Sequence, residues 1–461
     1  MLQKKMRIGF FLAALLLIAA LPVFAGGGPD LKGKDFVIGQ FWAGYDVKTF
    51  KPTNEDQELQ LEWRKKIQKD GGFTIREEMT ADWGQMLQIA VQSIMAGKPA
   101  AHAFLLEPGW AMTLYRRGLL APISDVKSVN LKNSTPVPVK DGKAGQVAYN
   151  QDVQNLFTFK GKFYATAIGY GTSQHSAGIF FNKRLFQEAG LDPNLPYDMQ
   201  KNKTWTWDNF FDICKKLTRD TNNDGRMNTY ALTQDLSTEI LDVVAFSNGA
   251  EYIGKDASGK FFNATKKPEF VEAVQFARKL KDEGVMMPRP MNEDGTVAGA
   301  WDWYFPQFHD GKVAMLIEPE WRRQQLMQMT DDWGYVLFPR GPKAKDYIFP
   351  NDENVLVIPA TFSPAEVDAI MHAVNLWFMP VSDDWKLAVY NQYRDRRAVD
   401  ETMTMVRSPN YSKFRNHIMI HGLQRGDIAW EVWWYDGDPA QLIESVSQSW
   451  DSLVNDANKT N

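Results

Sequence analysis

The first third of the chain alternates between short apolar runs and amphipathic stretches, and this alternation restricts the fold more than any other feature. Residues 35–42 form an apolar run that ends in the turn-forming segment Trp42-Ala43-Gly44-Tyr45. Residues 57–70 have helical spacing and 73–77 read as a strand; 83–95 are helical again and stop at Gly97-Lys98-Pro99, before the apolar run 101–106. Repetition of strand, helix and strand builds a parallel sheet, because parallel neighbours need a crossover between them. In an open α/β sheet, ligands collect beyond the carboxyl ends of the strands. Trp42, Tyr45, Glu107 and Trp110 follow such ends and are binding-site candidates on position alone.

The remainder supports a second unit of the same kind. At 461 residues and 44% hydrophobic content, the chain can bury two cores. After a turn-rich stretch at 131–154, read as a surface excursion, a polar glycine-bearing segment at 169–176 leads into the apolar run 177–181 and a helix closed by Gly190. Further helices are expected at 209–217, 239–249, 267–282, 364–379 and 439–454, and strands at 333–338 and 355–359. Residues 428–435 are read as an aromatic segment preceding the last helix. No internal repeat or low-complexity tract interrupts the pattern.

The amino terminus reads as an export signal. Lys4, Lys5 and Arg7 precede an apolar run at 8–20, and Val23 and Ala25 set a cleavage site before Gly26, so residues 1–25 are expected to be removed. The alternative is an uncleaved anchor, for which the apolar run is short. Losing those three cations with the signal takes the formal net charge from −4 to −7, which gives no support to nucleic-acid binding. The single cysteine, Cys214, lies far from the cleavage site, so it offers neither an internal disulfide nor a lipid-anchor cysteine. A soluble periplasmic or otherwise exported protein is expected, and a monomer.

Several segments carry a resemblance. Phe181-Asn182-Lys183 with Leu185, Phe186, Gly190 and Leu191 is similar to the "YNK-x-L-F-x-x-x-G-L" of family 1 extracellular solute-binding proteins, the sugar-capturing components of ABC importers, of the maltodextrin-binding type. Ala96-Gly97-Lys98-Pro99, Gly118-Leu119-Leu120-Ala121-Pro122-Ile123 and Thr204-Trp205-Thr206-Trp207-Asp208 match further family segments, although Ala100 stands where an Asp is usual. Phe308, Gly311, Lys312, Ala314, Met315 and Trp321 resemble its "F-x-x-G-K-x-A-M-x-x-x-G-x-W", with Pro319 and Glu320 departing from that wording. The resemblance implies a type II-like α/β periplasmic-binding-protein fold of two lobes joined by several crossings, the first near 171–176. It gives lobes at 34–173 plus 345–398 and at 177–340 plus 399–455, and an ABC permease as membrane partner. It also implies Trp321 and Glu318 at the sugar, a polar reach from Gln174 and His175, and an aromatic near the carboxyl terminus supplied by Trp433 or Trp434.

The chemistry of a sugar suits this inventory. Carbohydrates present apolar C–H faces and a rim of hydroxyls, so their sites combine flat aromatics with carboxylates and amides. The 16 Trp, 15 Tyr and 28 Phe can serve such a site, but equally serve two cores. Trp205 and Trp207, at a helix start, are read as packing residues. A lone histidine such as His175 is more often structural than a ligand, and no second histidine stands at metal spacing. Asp220, Asn222 and Asp224, with Gly225 at position six, match the first half of a calcium loop, while position twelve is Ala231; an Asx-rich turn is the competing reading. No cofactor is expected beyond that calcium. Two other functions stay open: a secreted glycan-acting hydrolase using paired carboxylates, and a binding protein for a noncarbohydrate solute.

Overall fold

In a computed structural model, the described residues are 28–169, 177–233, 238–294, 298–300, 302–351, 353–382, 384–408, 410–434 and 438–460. The export signal expected at 1–25 lies outside them, as do Gln174 and His175. No helix among the described residues is long and apolar enough to cross a membrane.

Two sheets divide the fold. The first grows from β1 (Asp35–Gln40), α1 (Glu55–Gly71), β2 (Thr74–Met79), α2 (Met86–Met95), β3 (Ala103–Leu106) and α3 (Pro108–Arg116), with β1 parallel to both β2 and β3. Side-chain alternation along β1 separates two cores: Phe36 and Ile38 face α1, while Val37 faces α2. Local signals fix α1: Asn54 accepts from the Gln57 N–H at 3.0 Å, acidic residues fill the first turn, and Gly72 ends the helix at φ 64°.

The second sheet is built on β4 (Ala177–Asn182), which continues into α4 (Lys183–Glu188). Trp205 and Trp207 are buried beside α5 (Trp207–Leu217), and α6 (Thr238–Ser247) is buried from residue 240 onward. β5 (Met315–Pro319) and β6 (Trp333–Leu337) flank β4, both antiparallel to it. Ile179, Phe180 and Phe181 are buried together, as a strand covered on both faces requires. A side chain at Gly178 would meet the Val336 carbonyl at 2.5 Å, so only glycine lets β4 pair there.

β7 (Phe349–Asn351) stays with this second lobe, and β8 (Val355–Val357) joins the first sheet antiparallel to β3, giving the order β8-β3-β1-β2. α7 (Pro364–Trp377) covers the first lobe and starts from a Ser363–Glu366 capping box. β9 (Ser412–Phe414) pairs with β7, and α8 (Gly426–Trp434) and α9 (Pro439–Thr460) complete the second lobe.

Among the described residues, two segments connect the lobes, and both lie elsewhere than the sequence suggests. The Pro339–Pro342 turn reads as a return to the first lobe; instead Gly341 donates to Ser247 O at 2.8 Å and Lys343 to Asn248 Oδ1 at 2.9 Å, which keeps the chain on the second lobe as far as β7. The crossing therefore falls at 353–354 rather than 340–345. The next precedes residue 393 rather than following 398, because Tyr393 donates to Glu320 at 3.1 Å, Lys183 to Asp395 at 2.6 Å and Arg397 to Asp198 at 2.8 Å. The excursion at 131–154 is likewise only half external: Val147 and Tyr149 are buried, and Asn150 caps a helix at Gln151–Leu156. Residues 428–434, the aromatic segment before the final helix, are themselves helical, within α8.

Candidate functional site

The carboxyl ends of β1 and β3 carry an aromatic ridge. Phe41 and Trp42 follow β1; their rings meet edge-on at 4.8 Å, and Phe41 meets Trp110 of α3 at 5.2 Å. Trp110 in turn lies 5.6 Å from Trp83, which follows β2. Glu107, at the start of α3, accepts from Trp83 Nε1 at 2.7 Å and so orients that indole. Trp83 is 59% exposed and Trp42 is 39% exposed. Large aromatics this open, linked through one another, form a ridge of apolar faces beside a carboxylate.

The corresponding end of the second sheet is ionic beneath and aromatic above. Glu318, in β5, stands opposite Gly178 and is buried. Burial pushes its carboxyl above the usual range, against the pull of the Arg322 guanidinium 3.4 Å away. Arg322 also donates to Gln325 at 2.9 Å, and its guanidinium carbon lies 4.4 Å from the Trp321 ring centroid. Trp321 thus rests on a buried cation and remains 38% exposed. Glu320 turns away, held by Tyr393 and Arg323.

Between β1, β3 and the 353–354 crossing lies a hollow of about 300 Å³, walled by Trp42, Glu77, Ile168, Glu353, Asn354 and Phe378. A second hollow of about 320 Å³ sits at the opposite strand ends, beside His102 and Phe362. Its carboxylates are already engaged, Asp35 by Arg76 and Glu366 by its capping box, and it lies away from the strand ends that carry the ridge.

Not every candidate reaches this surface. Trp42, Glu107 and Trp110 share the ridge, and Glu318 and Trp321 share the second face. Tyr45 is taken up in packing: its ring stacks on Phe50 at 3.9 Å and covers the buried Arg64 at 4.1 Å. Trp433 is 2% exposed, because α8 turns it into the core, and offers no stacking face. Trp434 ends the same helix. The aromatic that α8 does present is Trp430, 56% exposed. Trp430 was missed because tryptophans crowd this segment and only the packing of α8 decides that Trp433 is buried and Trp430 is not. Trp83 was missed because it was assigned to a helix, although it follows β2 as Trp42 follows β1.

Asp220, Asn222 and Asp224 form an exposed turn closed on itself. Asp220 Oδ2 accepts from the Gly225 N–H at 2.7 Å, Asp224 Oδ1 from Arg226 N–H at 2.9 Å, and Asn222 Nδ2 donates to Asp224 at 3.0 Å. Among the described residues no group of three His, Cys, Asp or Glu is placed to hold a metal.

Comparison with curated protein sequences finds no match. Solved structures share the fold. A cyclic α-maltosyl-1,6-maltose binding protein from Arthrobacter globiformis superposes with TM-score 0.63 at 15% identity, over 92% of this chain and 99% of that one. An ABC substrate-binding protein from Listeria monocytogenes in complex with cycloalternan gives 0.56 at 17%, over 93% and 98%. UgpB from Mycobacterium tuberculosis in complex with glycerophosphocholine gives 0.59 at 17%, over 94% and 99%. At such identities these similarities establish the two-lobed architecture alone. The family model of the bacterial extracellular solute-binding proteins matches residues 62–371, and the chain belongs to that family.

Proposed function

We propose that the protein is the exported capture subunit of an ABC importer and takes a sugar or oligosaccharide between its lobes. The observation that carries this reading is the ridge of Trp42, Trp110 and Trp83, oriented by Glu107 at the strand ends of one lobe. Flat indoles match the C–H faces of pyranose rings, and on the other lobe the exposed Trp321, resting on the buried Arg322, offers a second stacking face. The ligand bridges the two faces, the lobes close, and the closed form docks on the permease as a monomer; no bond is made or broken.

Thermal shift against a glycan library, with choline- and phosphate-bearing solutes alongside, tests it. A rise in melting temperature with a saccharide, confirmed by calorimetry and free of product release, supports capture. Product accumulating with time would replace it with the hydrolase reading. A response only to the noncarbohydrate solutes would replace the ligand class.

A further inference from the structure

The hollow below Trp42 has a chemistry the ridge lacks, because its polar lining is rich in acceptors. Glu77 is held by Trp377 Nε1 at 2.7 Å, by Gln40 Nε2 at 2.8 Å and by Arg64 at 3.5 Å. Gln40 is 1% exposed and directs its amide nitrogen to two acceptors, Glu77 and the Ala43 carbonyl, which settles the orientation of the amide. Its Oε1 then has no hydrogen-bond partner among the described residues, and neither does the buried Oδ1 of Asn354. A buried acceptor without a donor is destabilising, and native structures meet it with water or ligand. Of the two, Asn354 is among the residues lining the hollow and Gln40 is not, so it is at Asn354 that the hollow lacks a hydrogen-bond donor.

Charge narrows the class. Glu77 has Arg64 against it, and Glu353 shares the field of the buried Arg407, so neither calls for a cation. An anion would meet both carboxylates with only the N–H groups of Trp42 and Asn354 among the lining side chains. Asn354 also lies in the crossing between β7 and β8, so whatever it binds touches the connection between the lobes.

We infer that this hollow is a subsite for an uncharged, hydroxyl-bearing sugar unit, that Asn354 accepts its hydroxyl, and that the subsite excludes uronates. The inference rests on the saccharide reading above. Calorimetry on the mature protein with maltotriose, mannotriose and cellotriose, and with the tri-uronate counterpart of each, tests it. The expected result is at least one neutral trisaccharide bound, with its tri-uronate weaker by about 30-fold or more. Asn354→Leu should weaken the neutral ligand by about tenfold, and Asn354→Asp, which keeps an acceptor in place, by no more than about threefold. Equal binding of the tri-uronate by the unmodified protein overturns the subsite, as does Asn354→Leu without effect. If Trp83→Ala still weakens binding in either case, the saccharide reading survives. Failure of every neutral sugar overturns both.

Discussion

Trp83→Ala separates a binding role from a structural one. Trp83 is 59% exposed, so of the 150–250 Å² an aromatic side chain can bury, on the order of 120 Å² remains for a ligand. A sugar ring covering about two thirds of this removes roughly 80 Å² from water, worth about 2 kcal/mol at ~25 cal/mol per Å². Affinity should fall about 30-fold. What the fold loses is small: the indole hydrogen bond to Glu107 at 2.7 Å and the tilted ring contact with Trp110, about 1 kcal/mol together at the surface. The melting temperature should therefore move by no more than about 3 °C. The control is Trp205→Ala, a fully buried indole donating to Leu337 O at 2.8 Å, which should cost about 3–5 kcal/mol of stability. Calorimetric titration with the saccharide found by screening, beside a melting scan, gives both numbers. An unchanged Kd in Trp83→Ala, or a loss of stability like that of Trp205→Ala, would refute the reasoning.

Trp433→Ala should behave like Trp205→Ala, with a loss of about 3–5 kcal/mol in urea titrations, whereas Trp430→Ala should leave the urea midpoint in place. Burial lowers the pKa of His102, His372 and His417, and for His417 the Arg425 and Arg415 charges add to it. Their stability contribution is complete above about pH 6.5; below it the unfolded chain takes up protons first, so stability falls by up to about 1.4 kcal/mol per pH unit for His417. Urea midpoints from pH 7 to pH 5 should show this decline, and His417→Gln should make it shallower. Asp220→Ala should lower the melting temperature equally in calcium and in chelator, through loss of its bonds to the Gly225 and Asp224 N–H groups; a calcium-dependent difference would restore the calcium-loop reading.

The strands and helices of the first lobe are legible because their signals are local: apolar runs, an Asn54 cap and a Gly72 stop lie within a few residues of the elements they define. The ridge is partly legible for the same reason, since Trp42 and Trp110 stand at visible strand ends. Features requiring tertiary information are not. Nothing near Gly341 announces that its N–H will find Ser247, and that contact moves the crossing to Asn354. Tyr45 is as suitable a turn aromatic as Trp42, but Arg64 of α1 and Trp377 of α7 converge on its ring from elsewhere in the chain. The orphan oxygens of Gln40 and Asn354 leave no trace in a single sequence, because burial creates them.

The division of aromatics between the lobes has a consequence for closure. A ligand shifts a conformational equilibrium only through contacts that differ between the two states. If the Trp42–Trp110–Trp83 ridge binds the ligand as proposed, it meets it equally well when the lobes are apart, so its energy adds affinity without favouring closure. On the proposed reading, Trp321, on the other lobe, reaches the same ligand only after approach. Taking a population from 1:99 to 99:1 needs about 5.5 kcal/mol of difference. One stacked ring at about 2 kcal/mol and three hydrogen bonds at about 1 kcal/mol each come close to that. Removing the ring leaves about 3 kcal/mol, enough for only a partial shift. Small-angle scattering at saturating saccharide should therefore find Trp83→Ala as compact as the unmodified protein and Trp321→Ala more extended. Equal compaction of both variants would mean that closure is driven from elsewhere in the cleft.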